Sequence, residues 1–550
     1  MPPDLPPDYY LRNFQALVDN VATRYGDLLS PEEQDWLDRY RSSSVDARCL
    51  YVRLLSRTRS VFRRDKLDYP EIGDLHAAAD ELTAAGLMSI DPALDLDDLL
   101  PLYVKAELAE ACAEPAARKC ARDALVDALL DDPDSLGFER ASLAAHGPLL
   151  QVEDEDYFTV FRLLFFGNLY QDLSDFVLRD LGLMQYEAYP IDADSRAFTS
   201  REQIDAHLRY YAVRAMVDNP NELDTHVILA LHEVLPSAPP TDRALYRRVG
   251  RFCNELARAL ERRGDTDQAL ALYATTDWPP SRERRARVLA ATEQEDAALA
   301  LCQAIAGDPI DADEAEFATG FAQRLLRKLG RRGPVPKALK PDEISLELTP
   351  DAEASVEVCA ARFYAEDGAC HYTENSLFTG VFGLAFWDII FSPIPGAFHN
   401  PFQHAPADFR EPDFRDARAA AVGARLDALL QPGDLKRRVR ATFEAKQGTA
   451  NPAVHWAALS EDLLDTALER IPLAHWHGVF DRMLEDLGNY RAGFPDLVHF
   501  PAEGGYNLIE VKGPGDTLQK NQLRWMAYFS TLGIPHVVAH VTWLDAPVTA

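Results

Sequence analysis

The sequence has few cysteines, and it has no long apolar run. Its seven cysteines are scattered, and no two of them form a C-x-x-C pair, which argues against a disulfide framework and against a zinc site. The apolar runs are far shorter than the roughly eighteen residues that a membrane-spanning helix needs. The first residues, MPPD, have neither the basic nor the apolar part of a secretory signal. We therefore expect a cytoplasmic protein with no membrane partner.

The chain also has a deficit of positive charge. Its formal net charge is −32, so at long range it repels a polyanion. A composition of 47% hydrophobic and 26% charged residues is that of an ordinary globular protein. At about 100–200 residues per domain, a chain of 550 residues predicts several domains.

The most informative segment is FPDLVHFPAEGGYNLIEVK, residues 494–512. Asp496 follows a proline in one short apolar run, and Glu510 and Lys512 stand two apart in a second run. The intervening Glu-Gly-Gly is typical of a turn, so the segment predicts a β-hairpin. Side chains alternate along a strand with period two, which places Glu510 and Lys512 on one face, and pairing brings Asp496 to that face.

Two carboxylates and one ammonium group at a strand end can serve phosphodiester hydrolysis. Mg²⁺ prefers oxygen ligands and is usually held by one or two carboxylates plus substrate phosphate. The alternative interpretation is a surface hairpin in which Lys512 forms a salt bridge with Glu510 or Asp496. Charges within an apolar strand are costly unless they have partners or bind an ion, and this favours a metal site.

The P-D…E-V-K pattern resembles the PD-(D/E)xK nuclease superfamily, and in particular its virus-type replication-repair nuclease (VRR-NUC) branch. Longer segments resemble the Fanconi-associated nuclease family: LIEVKGPGDTLQKNQLRWMAYFSTLG at 508–533, ENSLFTGVFGLAFWDIIF at 374–391, DARCLYVRLLSR at 46–57 and LDYPEIGDLHAAADELTAAGLM at 67–88. The resemblance therefore covers most of the chain.

The resemblance implies a site that binds Mg²⁺ or Mn²⁺, with two ions expected. Asp496 would bridge the ions, Glu510 and the Val511 carbonyl would complete one position, and Glu374, on the first helix of the nuclease, would complete the other. Lys512 would position water, and a glutamine on the following helix would face the site. The residues implied are Glu374, Asp496, Glu510, Val511, Lys512 and Gln522. From its position alone, Glu374 could instead be an acid stabilised by a helix dipole.

The activity that the resemblance implies is structure-specific cleavage of DNA near 5′ flaps, with 5′→3′ exonuclease activity and a role in interstrand crosslink repair. Two alternatives remain open. The chain could be a helical-repeat scaffold with a vestigial nuclease domain, although all the implied ligands are present. It could also be a nuclease for RNA or for nucleic acid of any structure, because hydrolysis at such a site does not read the base or the 2′-hydroxyl.

The predicted fold is multi-domain and predominantly α-helical, ending in an α/β restriction-endonuclease-like domain. A pattern of two amphipathic helices resembles a SAP module, a plain helical hairpin being the alternative. The run DTDQALALY recurs 29 residues later as QEDAALALC, which is typical of tetratricopeptide-like hairpins. The predicted segments are 1–93 (helical, DNA-binding), 94–135 (SAP-like), 136–235 (mixed), 236–331 (repeats), 332–352 (linker) and 353–550 (nuclease, with a helical insertion at about 411–490).

Clusters of basic residues in an acidic chain indicate a local DNA-binding surface, because counterion release requires contact with the phosphates. We place the basic cluster that contains Arg53, Arg57 and Arg63 in one helical stretch, in which Arg53 and Arg57 share a face. The alternative for any one cluster is a solvated helix face. The candidate DNA contacts are Arg53, Arg57, Arg63, Arg282, Arg284, Arg285, Lys436, Arg437 and Lys520.

Overall fold

A computed structural model describes residues 6–57, 59–172, 184–333, 340–351 and 353–544. The chain divides into two compact units. The first comprises Met1–Leu183 with Phe198–Ile204, and the second comprises Met184–Ala197 with Asp205–Ala550. Helices dominate the described residues, as predicted. None of these helices combines the length and apolar character that crossing a bilayer requires.

The first unit begins with three helices, α1 (Tyr9–Tyr25), α2 (Pro31–Ser42) and α3 (Val45–Leu55). A capping box starts α2: the Ser30 side chain accepts a hydrogen bond from the Glu33 N–H, and the Glu33 carboxylate accepts one from the Ser30 N–H. Pro31 occupies the first helical position, where its missing N–H costs nothing. The Ser-Pro-Glu-Glu sequence at 30–33 is thus a helix start.

The rest of the first unit alternates short strands and helices. These are β1 (Val61–Arg63), α4 (Leu75–Ala84), β2 (Met88–Ile90), α5 (Leu96–Leu99), α6 (Lys105–Glu110), α7 (Arg122–Asp131), β3 (Leu149–Val152) and α8 (Glu155–Phe166). The strands form an antiparallel sheet in the order β1-β3-β2. The prediction that the basic cluster containing Arg53, Arg57 and Arg63 lies in one continuous helix is wrong. Helix α3 ends at Leu55, and Arg63 lies on β1, because the run Val61-Phe62 pairs with β3.

Residues 201–328 form a series of helices. These are α9 (Arg201–Ala215), α10 (Thr225–Val234), α11 (Arg243–Arg263), α12 (Thr266–Tyr273), α13 (Ser281–Ala291), α14 (Glu295–Gly307) and α15 (Ala312–Lys328). The two copies of the repeated sequence occupy α12 and α14. Ala269 and Ala298 are equivalent in the repeat, as are Tyr273 and Cys302, and all four side chains are fully buried.

The nuclease sheet contains five strands in the order β4-β8-β7-β6-β5. They are β4 (Glu343–Leu348), β5 (Gly368–Tyr372), β6 (Leu497–Pro501), β7 (Asn507–Lys512) and β8 (His536–Trp543). Strands β4 and β7 run parallel to β8, whereas β5-β6 and β6-β7 pair antiparallel. The predicted hairpin is therefore present as β6-β7.

Strand β4 lies inside the segment 332–352, for which we predicted a linker. Three prolines in this segment are typical of a linker, but Ile344, Leu346 and Leu348 alternate with the period of a strand. Leu346 and Leu348 are buried, and β4 pairs with β8 along its whole length. The domain boundaries given above stay predictions.

Helices surround the sheet. They are α16 (Val356–Tyr364), α17 (Ser376–Ala385), α18 (Trp387–Ile390), α19 (Ala419–Leu429), α20 (Asp434–Lys446), α21 (Glu461–Arg470), α22 (Leu473–Glu485), α23 (Leu487–Tyr490) and α24 (Lys520–Leu532). An aromatic core fixes the chain before β6, because Phe494 stacks on Phe378 of α17 at 4.9 Å and contacts Trp525 of α24 at 4.2 Å between ring centroids. This packing positions the residue pair Pro495-Asp496.

Candidate active site

Asp496 lies immediately before β6, beside the neighbouring strand β7. Its Oδ2 accepts a hydrogen bond of 2.9 Å from the Val511 N–H. Pairing of Leu497 with Ile509 sets this register. The hairpin thus brings Asp496 to the strand that carries Glu510 and Lys512, as the sequence predicted.

Glu510 is buried to 0% exposure, and two side chains hold one of its oxygens. Its Oε1 lies 2.8 Å from Lys512 Nζ and accepts a 2.6 Å hydrogen bond from Gln522 Nε2. Gln522 reaches the site because α24 begins at Lys520, with Gln519 as its N-cap, which places Gln522 in the first turn of the helix. Within the described residues, Glu510 Oε2 is buried without a hydrogen-bond partner.

The two carboxyl groups hold protons more tightly than usual. Burial raises the pKa of Asp496 to about 6; the Val511 N–H opposes this rise, and the charge of Glu357 adds to it. Burial also raises the pKa of Glu510 to about 7, and the charge of Asp496 adds to that rise. The buried Glu510 carboxylate, with its unsatisfied oxygen, and the neighbouring half-buried Asp496 form a donor set that fits a hard divalent cation.

Glu374 lies next to this pair through main-chain hydrogen bonds. The N–H groups of Thr373 and Glu374 both donate to the Asp496 carbonyl at 2.9 Å. The turn places Glu374 at a φ of +42°, a left-handed conformation that costs an ordinary residue roughly 1–2 kcal/mol. Its carboxylate accepts hydrogen bonds from the Tyr372 hydroxyl at 3.0 Å and from Asn375 Nδ2 at 3.1 Å.

The Glu374 carboxylate lies at the edge of the site. Across the parts of the chain that the structure describes, no three His, Cys, Asp or Glu side chains are grouped closely enough to hold a metal ion. The charge of Glu374 nevertheless raises the pKa of both Asp496 and Glu510. The structure therefore brings Asp496, Glu510, Lys512 and Gln522 together, with Glu374 beside them.

Three further residues at the site were not predicted from the sequence. Tyr372 and Asn375 flank Glu374, and Glu357, in the first turn of α16, contributes to the pKa of Asp496. Each belongs to a segment that precedes the motif by more than a hundred residues, and no spacing rule links such a segment to the hairpin. The only signal for Tyr372 and Asn375 was their adjacency to Glu374 in the run YTEN.

Most of the candidate DNA contacts make ion pairs within the protein. The pairs are Arg53–Glu71, Arg63–Asp65, Arg63–Glu107, Arg282–Glu314, Arg284–Glu261, Lys436–Glu469, Arg437–Asp434, Lys520–Asp313 and Lys520–Glu316. Arg57 instead lies near the rings of Phe62 and Tyr69. Arg285 is half-buried. Among the described residues, neither Arg57 nor Arg285 has an ion-pair partner.

Comparison with known proteins gives matches along the chain. The model of the VRR-NUC domain matches residues 430–543, and that of the FAN1 HTH domain matches residues 8–89. The Fanconi-associated nuclease 1 homolog of Pseudomonas aeruginosa is 37% identical over 555 residues, which cover 98% of this chain and 97% of that protein. The chain belongs to the Fanconi-associated nuclease family.

Other members of the Fanconi-associated nuclease family match with lower identity. The rice homolog is 25% identical over 97% of this chain, which spans 62% of the rice protein. A crystal structure of paFAN1 bound to DNA with a two-nucleotide 5′ flap and a gap matches with a TM-score of 0.83 and 35% identity, over 99% of this chain and 100% of that one. A second, with a one-nucleotide flap, matches with a TM-score of 0.81.

These matches confirm the predictions of family, of fold class and of a nuclease. The helix-turn-helix match, at residues 8–89, lies in the N-terminal segment predicted to be helical. The roles assigned to individual site residues, and the DNA contacts, stay predictions.

Proposed function

We propose that this member of the Fanconi-associated nuclease family is a Mg²⁺- or Mn²⁺-dependent, structure-specific DNA nuclease. It cuts near 5′ flaps, degrades DNA in the 5′→3′ direction and acts in interstrand crosslink repair. The observation that carries the metal dependence is the Asp496–Glu510 pair, in which Glu510 is buried and its Oε2 is unsatisfied. The flap preference is supported by the match to paFAN1 in complex with 5′-flap DNA.

Asp496 and Glu510 would hold the divalent cation, with the Val511 carbonyl as a further oxygen and Glu374 as a carboxylate at a second position. When bound, such a cation lowers the pKa of water and stabilises the charge that develops on the phosphate oxygens. Gln522 fixes the rotamer of Glu510, so that its second oxygen stays turned away from the Gln522–Lys512 side.

Lys512 orients the attacking water and places a positive charge beside the phosphate. Its ammonium group is buried against Glu510, so it is held in place before the substrate arrives. Preorganised charge of this kind stabilises a transition state without a reorganisation cost at the moment of reaction. Burial of the ion pair also disfavours the alternative of a solvated surface hairpin.

Binding of DNA would use the basic residues that are not committed to internal ion pairs. Arg57 and Arg285 are the strongest candidates of the predicted set, because no carboxylate among the described residues neutralises them. Lys520 can contribute only by leaving Asp313, from which its Nζ is 2.9 Å away. A protein of net charge −32 needs such local positive charge to bind a polyanion.

A cleavage assay tests the proposal with 5′-flap DNA, blunt duplex and single-stranded RNA, each with Mg²⁺ and with EDTA. We expect the flap to be cut fastest and only with the metal, and Asp496→Ala to abolish cutting. Asp427→Ala, an exposed acid on α19, is the matched control and should cut at the wild-type rate. A wild-type protein that leaves the flap intact, or undiminished cutting by Asp496→Ala, would reject the proposal. Equal cutting of RNA would favour the broader nuclease.

A further inference from the structure

Tyr372 is the last residue of edge strand β5, directly opposite Leu497 in the sheet register. This position places it one residue from Asp496 across the strand pair. Its side chain is 52% exposed, so its ring contributes little to the core. Its hydroxyl nevertheless points at the site and donates to Glu374 Oε2 at 3.0 Å.

Asn375 holds the other oxygen of the same carboxylate. Its Nδ2 donates to Glu374 Oε1 at 3.1 Å, while its Oδ1 accepts from the N–H groups of Gly493 and Phe494 at 2.8 and 3.2 Å. One amide side chain therefore connects the Glu374 carboxylate to the main chain that leads into Asp496. Both Glu374 oxygens have a donor, although Glu374 itself sits in a left-handed conformation.

From this geometry we infer that Tyr372 is a positioning residue. Through its hydroxyl, and together with Asn375, it holds the Glu374 carboxylate at the edge of the Asp496–Glu510 pair, where Glu374 can complete a second cation position. The inference rests on the proposed metal dependence. A carboxylate with fixed donors loses less rotamer freedom on binding a cation, and outer partners of metal ligands are commonly worth 10–100-fold in metal affinity.

The chemistry of the surroundings supports a hydroxyl rather than a charged donor. The Tyr372 hydroxyl donates a hydrogen bond to Glu374 without adding a charge to the site. A lysine at the same place would neutralise the carboxylates and compete with the cation. A tyrosine orients Glu374 and leaves its charge available.

The test is Mn²⁺ binding, followed by the electron paramagnetic resonance signal of the free ion. We expect Tyr372→Phe to weaken binding roughly tenfold at the weaker of two positions. Tyr273→Phe is the matched control, because the Tyr273 hydroxyl also donates to a glutamate at 3.0 Å, Glu261 among the helical repeats. That variant should lose the same type of hydrogen bond and bind Mn²⁺ as the wild type does.

A second comparison separates positioning from a merely structural effect. In a Glu374→Gln background, Tyr372→Phe should leave Mn²⁺ binding unchanged, because its target carboxylate is gone. A Tyr372→Phe variant that binds as the wild type does, or that loses affinity equally in both backgrounds, would overturn the inference alone. If the wild type itself binds no Mn²⁺, the proposed metal dependence fails, and the inference fails with it.

Discussion

Gln522 donates its side-chain amide to Glu510 Oε1 at 2.6 Å. The bond joins helix α24 to strand β7 and leaves the second oxygen of the carboxylate without a hydrogen-bond partner among the described residues. A buried carboxylate that accepts hydrogen bonds through only one of its oxygens has a fixed orientation, but its second oxygen lacks a partner. Gln522 therefore orients Glu510, and assays of cleavage and of metal binding can test this role.

Removing the Gln522 amide should weaken the site without unfolding the protein. We expect Gln522→Ala to lower the cleavage rate and the Mn²⁺ affinity about 10–100-fold, because Glu510 loses the donor that fixes its rotamer. Gln303→Ala, at an exposed position on α14, is the control for the substitution itself. Unchanged Mn²⁺ affinity in Gln522→Ala would mean that Lys512 alone orients Glu510.

Metal binding should depend steeply on pH. The pKa values of about 6 for Asp496 and about 7 for Glu510 mean that protons compete with the cation in this range. We expect the Mn²⁺ affinity, measured by calorimetry between pH 5.5 and 8, to rise with pH and level off above about 7. The apparent pKa for occupancy of the site by Mn²⁺ should fall as the Mn²⁺ concentration is raised, because the cation competes with protons. An affinity independent of pH would contradict the two raised pKa values.

In the metal-free protein, the contribution of these two carboxyl groups to stability should be more favourable at lower pH. Their folded-state pKa values lie above the ordinary ones near 4, so the native state binds more protons and stability falls between about pH 4 and pH 7. With EDTA present, Asp496→Asn should therefore be more stable than the wild type at pH 8, and the gain should shrink at pH 5.

Asp388 provides a control of opposite sign for this measurement. Although burial opposes it, the ion pair with Arg425 holds the pKa of Asp388 below its ordinary value. Asp388 is thus charged at both pH values, and Asp388→Asn should lower the free energy of unfolding by similar amounts at pH 5 and pH 8. If Asp496→Asn behaves like Asp388→Asn, the pKa of Asp496 is not raised in the folded protein.

Two adjacent arginines allow a sharp test of the DNA contacts. Arg284 is paired with Glu261, whereas Arg285 has no ion-pair partner in the described chain. We expect Arg285→Ala to reduce the slope of log affinity for flap DNA against log salt by about 0.9 without loss of stability. Arg284→Ala should instead cost about 1–3 kcal/mol of stability, because the half-buried Glu261 loses one of its two arginine partners and keeps only Arg258. Fluorescence anisotropy and urea unfolding measure the two effects, and identical salt slopes would remove Arg285 from the DNA surface.

The sequence predicted the part of the site that depends on local pattern. Asp496, Glu510 and Lys512 follow from strand alternation and one turn, whereas Gln522 was implied only by the family resemblance. Tyr372 and Glu357 could not be predicted, because their placement depends on β5 and α16 packing beside a hairpin that lies more than a hundred residues later. Spacing alone carries no information about such a contact.

The basic residues show a different limit of sequence reasoning. The arginine clusters show where positive charge lies in the sequence, but not which residues pair with it. Arg53, Arg282 and Arg284 each form an ion pair with a glutamate from another segment of the chain. In a chain with 88 acidic and 56 basic residues, an arginine is more readily neutralised internally than left for a ligand. Strand β4 was not predicted, because the prolines before it are typical of a linker and only three alternating apolar residues indicate the strand.

The hydrogen bonds from Gly493 and Phe494 to Asn375 join segments 118 and 119 positions apart. During synthesis, Glu374 and Asn375 leave the ribosome before the loop to which Asn375 is bonded, and before the β6-β7 hairpin. The pairing of Asp496 with strand β7 therefore cannot form until residues 496–512 have been made. A copy that terminates before these residues lacks the Asp496–Glu510 pair.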